Sequence, residues 1–218
     1  GEEAIIRNRD LENGLISIGA SENALRLILL SELEHFCARY PHVRIRLLNY
    51  SAPQAVKALE NNIIDFAIVS TPVLVHKHMH QEKLVSYDEI LLGGTKYKQF
   101  AQQVHYLEDI SEMPLIGLCE GSSTHTHYSR FFMEHDLPFE PDMEAAMTVQ
   151  VLPMITHNLG IGFYPKSLAL EAIEKELVFP IELTEPLPNR DVVVITNNHT
   201  PINSAARRFL EFLLENRK

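Results

Sequence analysis

Cysteine is scarce in this chain: Cys37 and Cys119 are the two in 218 residues. A disulfide framework and a four-thiolate zinc site are therefore both excluded, and the composition fits a reducing, cytoplasmic setting. Basic residues are also short. Lys plus Arg number 19 against 29 Asp plus Glu, a formal net charge of −10, which argues against nucleic-acid binding through the chain's own phosphate contacts. No apolar run reaches the length of a membrane span, and no low-complexity tract interrupts the sequence. The motifs of common catalysis are missing too. There is no Gly-x-Ser-x-Gly elbow and no P-loop; Gly160-Ile161-Gly162 is a fragment of a dinucleotide fingerprint that follows a helix rather than a strand. No enzyme activity and no cofactor are expected.

What is present is a hydrophobic period that keeps switching. Leu15–Gly19 reads as a short buried strand, and Glu22–Arg39 carries apolar residues at helical spacing until the Tyr40-Pro41 step stops it. Val43–Leu48 alternates as a strand, Ser51–Glu60 reads as a helix, and Ile64–Val69 as another strand. The βαβαβ order implies parallel pairing in an open α/β sheet covered on both faces. It then repeats: strand Pro114–Leu118, helix Thr124–His135, strand Asp142–Ala146, helix Thr148–Leu159 and strand Gly160–Pro165. Two strand-like runs, Glu89–Gly94 and Asp191–Thr196, are expected to cross between the halves as a hinge, and Ile202–Leu214 is expected to dock back on the first half as a helix.

Hydroxyls recur where strands give way to helices: Ser21, Ser51, Ser70-Thr71, Ser122-Ser123-Thr124 and Thr148. Each is a plausible N-cap, worth about 1 kcal/mol. In an open α/β sheet, however, these positions share the edge where free amides and helix dipoles favour an anion.

In order and spacing, Gly14–Gly19 followed by Ser21, Phe36–Val43, Leu59 with Ile64–Ile68, Leu159–Pro165 and Ser204–Phe209 resemble the C-terminal effector-binding domain of LysR-type transcriptional regulators. The resemblance runs from Asn13 onward. It implies two Rossmann-like, periplasmic-binding-protein-like subdomains joined by two crossing strands: the first from residues 13–91 plus 197–218, the second from 92–196. It also implies that residues 1–12 are the remnant of a linker from a winged helix-turn-helix that would make the DNA contact. Carried over position by position, a small effector is expected between the lobes against Ser21, Glu22, Asn23, Ser51, Ser70, Thr71, Ser122, Ser123, Thr124, His125 and Thr148. Closure would be passed to a DNA-bound homodimer or tetramer, with no membrane partner. A solute-binding protein of a transport system shares the plan and is the alternative.

Glu22 and Glu120 stand close to helix openings that should receive an anion, and like charges at 4 Å repel by about 4 kcal/mol at an effective dielectric of 20. If either faces the cleft, an effector with both a carboxylate and an amine is favoured. His76, His78 and His80 alternate, which in an extended segment would place three imidazoles on one face; with no accompanying Cys-x-x-Cys or His-Glu-x-x-His, a solvated loop without metal is expected. Cys37 and Cys119 read as small buried hydrophobes.

Overall fold

A computed structural model describes residues 1–2, 14–215 and 217. The supposed linker, residues 1–12, falls outside them except for its first two positions. The chain divides into two compact units, residues 1–85 with 191–218 and residues 86–190.

In the first unit β1 (Leu15–Ala20) leads into α1 (Glu22–Ala24), which runs on through a π-helical turn, Leu25–Leu29, into α2 (Leu30–Arg39). There follow β2 (Arg44–Asn49), α3 (Ala52–Glu60), β3 (Phe66–Ser70) and the start of β4 (Met79–Tyr87). With β10 the late strand Arg190–Asn197, the sheet order is β2-β1-β3-β10-β4, and β1 is parallel to β2 and β3. Strand β10 lies antiparallel to β3, and α8 (Ser204–Glu215) closes the chain. Period-two alternation sorts side chains to the two faces. Ala67, Val69, Val193 and Ile195 pack under α3 with Ala55, Val56 and Leu59. Phe66 faces the other way and stacks on Phe209 of α8, which in turn meets Phe36 of α2 edge-on. The expected docking of the C-terminal helix on the first half is thus realised by an aromatic cluster.

The second unit repeats the plan with β5 (Glu89–Gly93), α4 (Leu107–Ser111), β6 (Leu115–Leu118), α5 (Ser123–Glu134), β7 (Met143–Ala145), α6 (Thr148–Thr156), β8 (Ile161–Pro165), α7 (Lys166–Glu174) and β9 (Phe179–Ile181). Its order is β7-β6-β8-β5-β9. Neighbouring residues again part company: Leu91, Leu115 and Phe163 enter one core, Leu92, Ile116 and Tyr164 the other.

The repeat extends to small devices. Asp65 accepts the Ser17 N–H and returns its own N–H to the Ser17 carbonyl, extending the β1–β3 ladder; Asp142 does the same with Leu115 between β6 and β7. Four helices end on a residue with left-handed φ, at Asn62, Asp136, Asn158 and Glu176, and the next amide reaches back to close the turn.

One expectation needs correction. Glu89–Gly94 does not cross between the units; β5 lies wholly inside the second sheet, antiparallel to β8 and β9. The passages are at Val85–Ser86, within β4, and at Arg190–Asp191, at the start of β10. β4 escapes sequence reading because the run His80–Lys83 in it is polar and exposed, which breaks the alternation that reveals the other edge strand, β2, whereas interior β5 is buried nearly throughout.

Candidate functional site

In the first unit, parallel strands bring Ala20, Asn49 and Ser70 to one carboxyl edge, where α1 and α3 begin. Ser21 Oγ accepts the N–H of Ala24 at 3.4 Å and that of Ser70 at 3.3 Å, while its own N–H donates to the Ile68 carbonyl. With both acceptor positions engaged, what its hydroxyl offers a third group is a proton. Ser70 is buried at this edge. The Thr71 N–H donates to the Asp191 carbonyl at 2.9 Å, and Thr71 Oγ1 accepts the Asp191 N–H at 3.0 Å. Ser51 forms a capping box with Gln54: each side chain accepts the other residue's amide. Asn23 is 5% exposed, and its Oδ1 is buried with no hydrogen-bond partner. Such an acceptor costs about 1–3 kcal/mol unless something donates to it. Glu22 lies 4.0 Å from Arg26 one turn on, which offsets its charge locally.

In the second unit, α5 and α6 open at the carboxyl ends of β6 and β7. Gly121, at φ +92°, turns the chain so that Ser122 can cap α5. Ser122 Oγ accepts the His125 N–H at 3.0 Å and donates to the Cys119 carbonyl at 3.1 Å. The next two hydroxyls meet a side chain that sequence reading did not single out. Arg190, 1% exposed, donates through Nη2 to Ser123 Oγ at 3.0 Å and through Nη1 to Thr124 Oγ1 and to Glu89 Oε1, both at 2.9 Å. Its guanidinium also lies 5.7 Å from the Tyr87 ring centroid. Burial pulls the Arg190 pKa down, but Glu89, Tyr87 and Tyr128 together carry it above the ordinary value, so it stays charged. Burial, then Glu89, pushes the Tyr128 hydroxyl well above 10.

His125 Nδ1 is 2.9 Å from the Leu118 carbonyl, which can only accept, so the Nδ1 tautomer carries the proton; the ring meets Phe139 edge-on. His127 behaves differently. Burial first, then the positive charges of Arg190 and Arg130, depresses it to about 4, and its Nε2 is buried without a partner. Thr148 is buried in the first turn of α6, where Gln150 Oε1 accepts the Met147 N–H. Glu120 is exposed. Cys119 and Cys37 are free thiols of intermediate exposure rather than full core residues, and burial raises the Cys37 pKa.

Ser21, Glu22, Asn23, Ser51, Ser70 and Thr71 thus gather at the edge of one sheet, and Ser122, Ser123, Thr124, His125 and Thr148 at the corresponding edge of the other. Such edges, with backbone amides and hydroxyls around helix starts, are suited to hold an anion rather than to activate a nucleophile.

Comparison with known proteins agrees with this architecture. The family model for the LysR substrate binding domain matches residues 9–218. The chain belongs to that family. A probable RuBisCO transcriptional regulator from Chlorokybus atmophyticus is 24% identical over 206 residues, covering 92% of this chain and 66% of that protein. The chain therefore spans about two thirds of the length of such relatives. Among solved structures, the effector binding domain of QuiR in complex with shikimate aligns with a TM-score of 0.81 at 15% identity, covering 94% of this chain and 97% of that one. The regulatory domain of Synechocystis PCC6803 CcmR in complex with 2-PG aligns with a TM-score of 0.82 at 15% identity and the same coverages. The LysR substrate-binding family thus carries the two α/β units described above.

Among the described residues, no helix is long and apolar enough to cross a membrane.

Proposed function

We propose that this chain is the sensory part of a LysR-type transcriptional regulator, binding a small carboxylate-bearing metabolite at the carboxyl edges of its two sheets without transforming it. The observation that carries the reading is the edge at Ser21–Asn23: a serine hydroxyl with a proton to give, amides at a helix start, and one buried carboxamide oxygen awaiting a donor. An acceptor in that place asks for a ligand that donates as well as accepts, so hydroxy or amino acids suit it better than plain dicarboxylates. Shikimate, held by the QuiR domain, is itself a carboxylate. The second edge contributes Ser122, His125 and Thr148, with Ser123 and Thr124 set in place by Arg190.

Ligand binding shifts a conformational equilibrium only by its difference in affinity between states, so regulation requires contacts that change on binding. The DNA contact belongs to another part of the full-length protein, the output passes through a homo-oligomer, and the setting is cytoplasmic. The regulator reading is favoured over a transport-linked solute receptor by the family match and by relatives named as transcriptional regulators.

A thermal-shift screen of small acids tests it, since a ligand at 100 times its Kd adds about 2.7 kcal/mol. A hydroxy or amino acid should stabilise the chain, and Asn23→Leu should weaken that ligand about tenfold, the worth of one hydrogen bond of about 1.4 kcal/mol. Stabilisation by no carboxylate, or full affinity in Asn23→Leu, removes the support.

A further inference from the structure

The first unit contains a second cluster that the effector reading does not use. It lies at the far end of α3 from Ser51, about 13 Å along the helix. Glu60, the last residue of α3, presents Oε2 to two imidazoles at once: His76 Nδ1 at 3.1 Å and His78 Nε2 at 2.5 Å. The three side chains can each supply one ligand atom, all within 4.8 Å of one another.

The backbone holds the pieces in place. The His76 carbonyl accepts the Met79 N–H, closing the turn that leads into β4, and the His78 carbonyl accepts the Asn198 N–H from the segment after β10. His199, whose N–H is fixed by Asn197 Oδ1, stacks on His78 with ring centroids 4.4 Å apart and planes 16° from parallel. The His78 ring is thus clamped between a neighbouring ring and a carboxylate. His80, expected from the sequence to share a face with the other two, sits on β4 and pairs with Glu82 instead.

We propose that Glu60, His76 and His78 form a binding site for a divalent transition-metal ion of the zinc class. Two imidazole nitrogens and one carboxylate oxygen are the donors such an ion prefers, and three protein ligands leave a fourth position for water. The ion takes the place of the protons now shared between the imidazoles and Oε2. Zinc bonds of about 2.0–2.2 Å put ligand atoms about 3.4 Å apart in a tetrahedron, so His78 moves back by about 1 Å while His76 is nearly in register. The charge balance also suits a cation. The carboxyl end of α3 carries partial negative charge and ends on the Glu60 carboxylate. The exposure of His76 and Glu60 gives the ion a route in from solvent.

Three segments distant in sequence, the end of α3, the turn before β4 and the stretch after β10, are thereby tied at one point. Zinc chloride titrated into tag-free protein should bind at one equivalent per chain in the micromolar range and raise the midpoint of thermal unfolding. Cobalt(II) in its place should give the visible absorption of a four- or five-coordinate site. His78→Ala and Glu60→Gln should each weaken zinc about tenfold or more, and His76→Ala likewise, while His80→Ala should leave affinity unchanged. The unfolding midpoints of the metal-free variants, compared with the parent, show that each is folded. Absence of saturable binding, or zinc affinity retained in the His76→Ala/His78→Ala double variant, would overturn the proposal. Because the readout is metal affinity, failure here leaves the effector reading standing, and failure of the carboxylate screen leaves this one.

Discussion

At the edge of the first sheet, Ser21 collects two backbone amides; at the edge of the second, Ser123 and Thr124 receive the nitrogens of a buried guanidinium. Both edges arise from the same strand-helix repeat, with hydroxyls at equivalent places. The first is organised by neutral dipoles, each worth about 1 kcal/mol net, and it leaves the Asn23 oxygen unsatisfied. The second is organised by an internal ion pair, Arg190 with Glu89, whose two side chains are 0% and 2% exposed. A neutral edge can yield to a ligand at small cost. An edge built on a desolvated charge pair is stiff, because any arrangement that separates the charges exposes the protein to the full burial penalty.

The largest effect should come from breaking that pair. Glu89→Ala strands the guanidinium in a dry interior and should cost about 3–5 kcal/mol in urea unfolding, whereas Glu89→Leu combined with Arg190→Met should recover most of the loss. If the double variant is as unstable as the single one, the hydroxyl contacts to Ser123 and Thr124, not the buried charge, are what Arg190 contributes, and the contrast between the edges disappears.

Burial, aided by the charges of Arg190 and Arg130, sets up a pH dependence in the second unit. His127 has a folded pKa of about 4 against about 6.5 unfolded, so the unfolded chain binds the extra proton first. Its contribution is fully present above pH 6.5 and is lost as pH falls through 4. Within that window the slope is at most about 1.4 kcal/mol per pH unit, less what partial exposure of the ring screens. His127→Gln should flatten the stability profile between pH 6.5 and 4; a profile unchanged by that substitution would show that the ring is neither desolvated nor reached by the cations around it.

Sequence periodicity was enough to locate β1, β3, β6 and β8, because interior parallel strands are apolar on both faces, and to place the edge strands β2 and β7 between helices that are themselves amphipathic. It was enough to gather the hydroxyls at two edges for the same reason: a residue following a parallel strand has nowhere else to be. What it could not show is pairing across long separations. Arg190 and Glu89 are 101 residues apart, and each looks like an ordinary surface charge in its own context. A faint signal existed, in that Arg190 opens a run of four valines and isoleucines, Val192–Ile195, that must be buried. Asn23 was singled out only as a neighbour of Ser21; its lack of a partner is a property of packing. Glu60 was likewise read as the last residue of a helix, and nothing local pointed from it to His76 and His78, which lie 16 and 18 residues on and are anchored in part by the distant Asn198 N–H.

The smallest effects separate a cap that serves one helix from a cap that also serves the sheet. Ser21 and Ser51 have the same local role, each accepting an amide three residues on. Ser21 in addition takes the N–H of buried Ser70, whereas Ser51 has its amide satisfied by Gln54 and sits at a more open helix start. Truncation at Ser21 therefore removes two amide contacts, one of them to a buried residue, and should cost about 2 kcal/mol, near the top of the range for caps, while Ser51→Ala should cost about 1 kcal/mol and Ser51→Gly a few tenths, since glycine adopts the cap conformation and leaves room for water. Thermal or urea unfolding of the three variants reads the difference directly. Equal losses at Ser21 and Ser51 would mean that the Ser70 amide finds water when Ser21 is shortened. The first edge would then be wetter than the burial of Ser70 implies, and a ligand arriving there would displace solvent rather than fill a dry and waiting place.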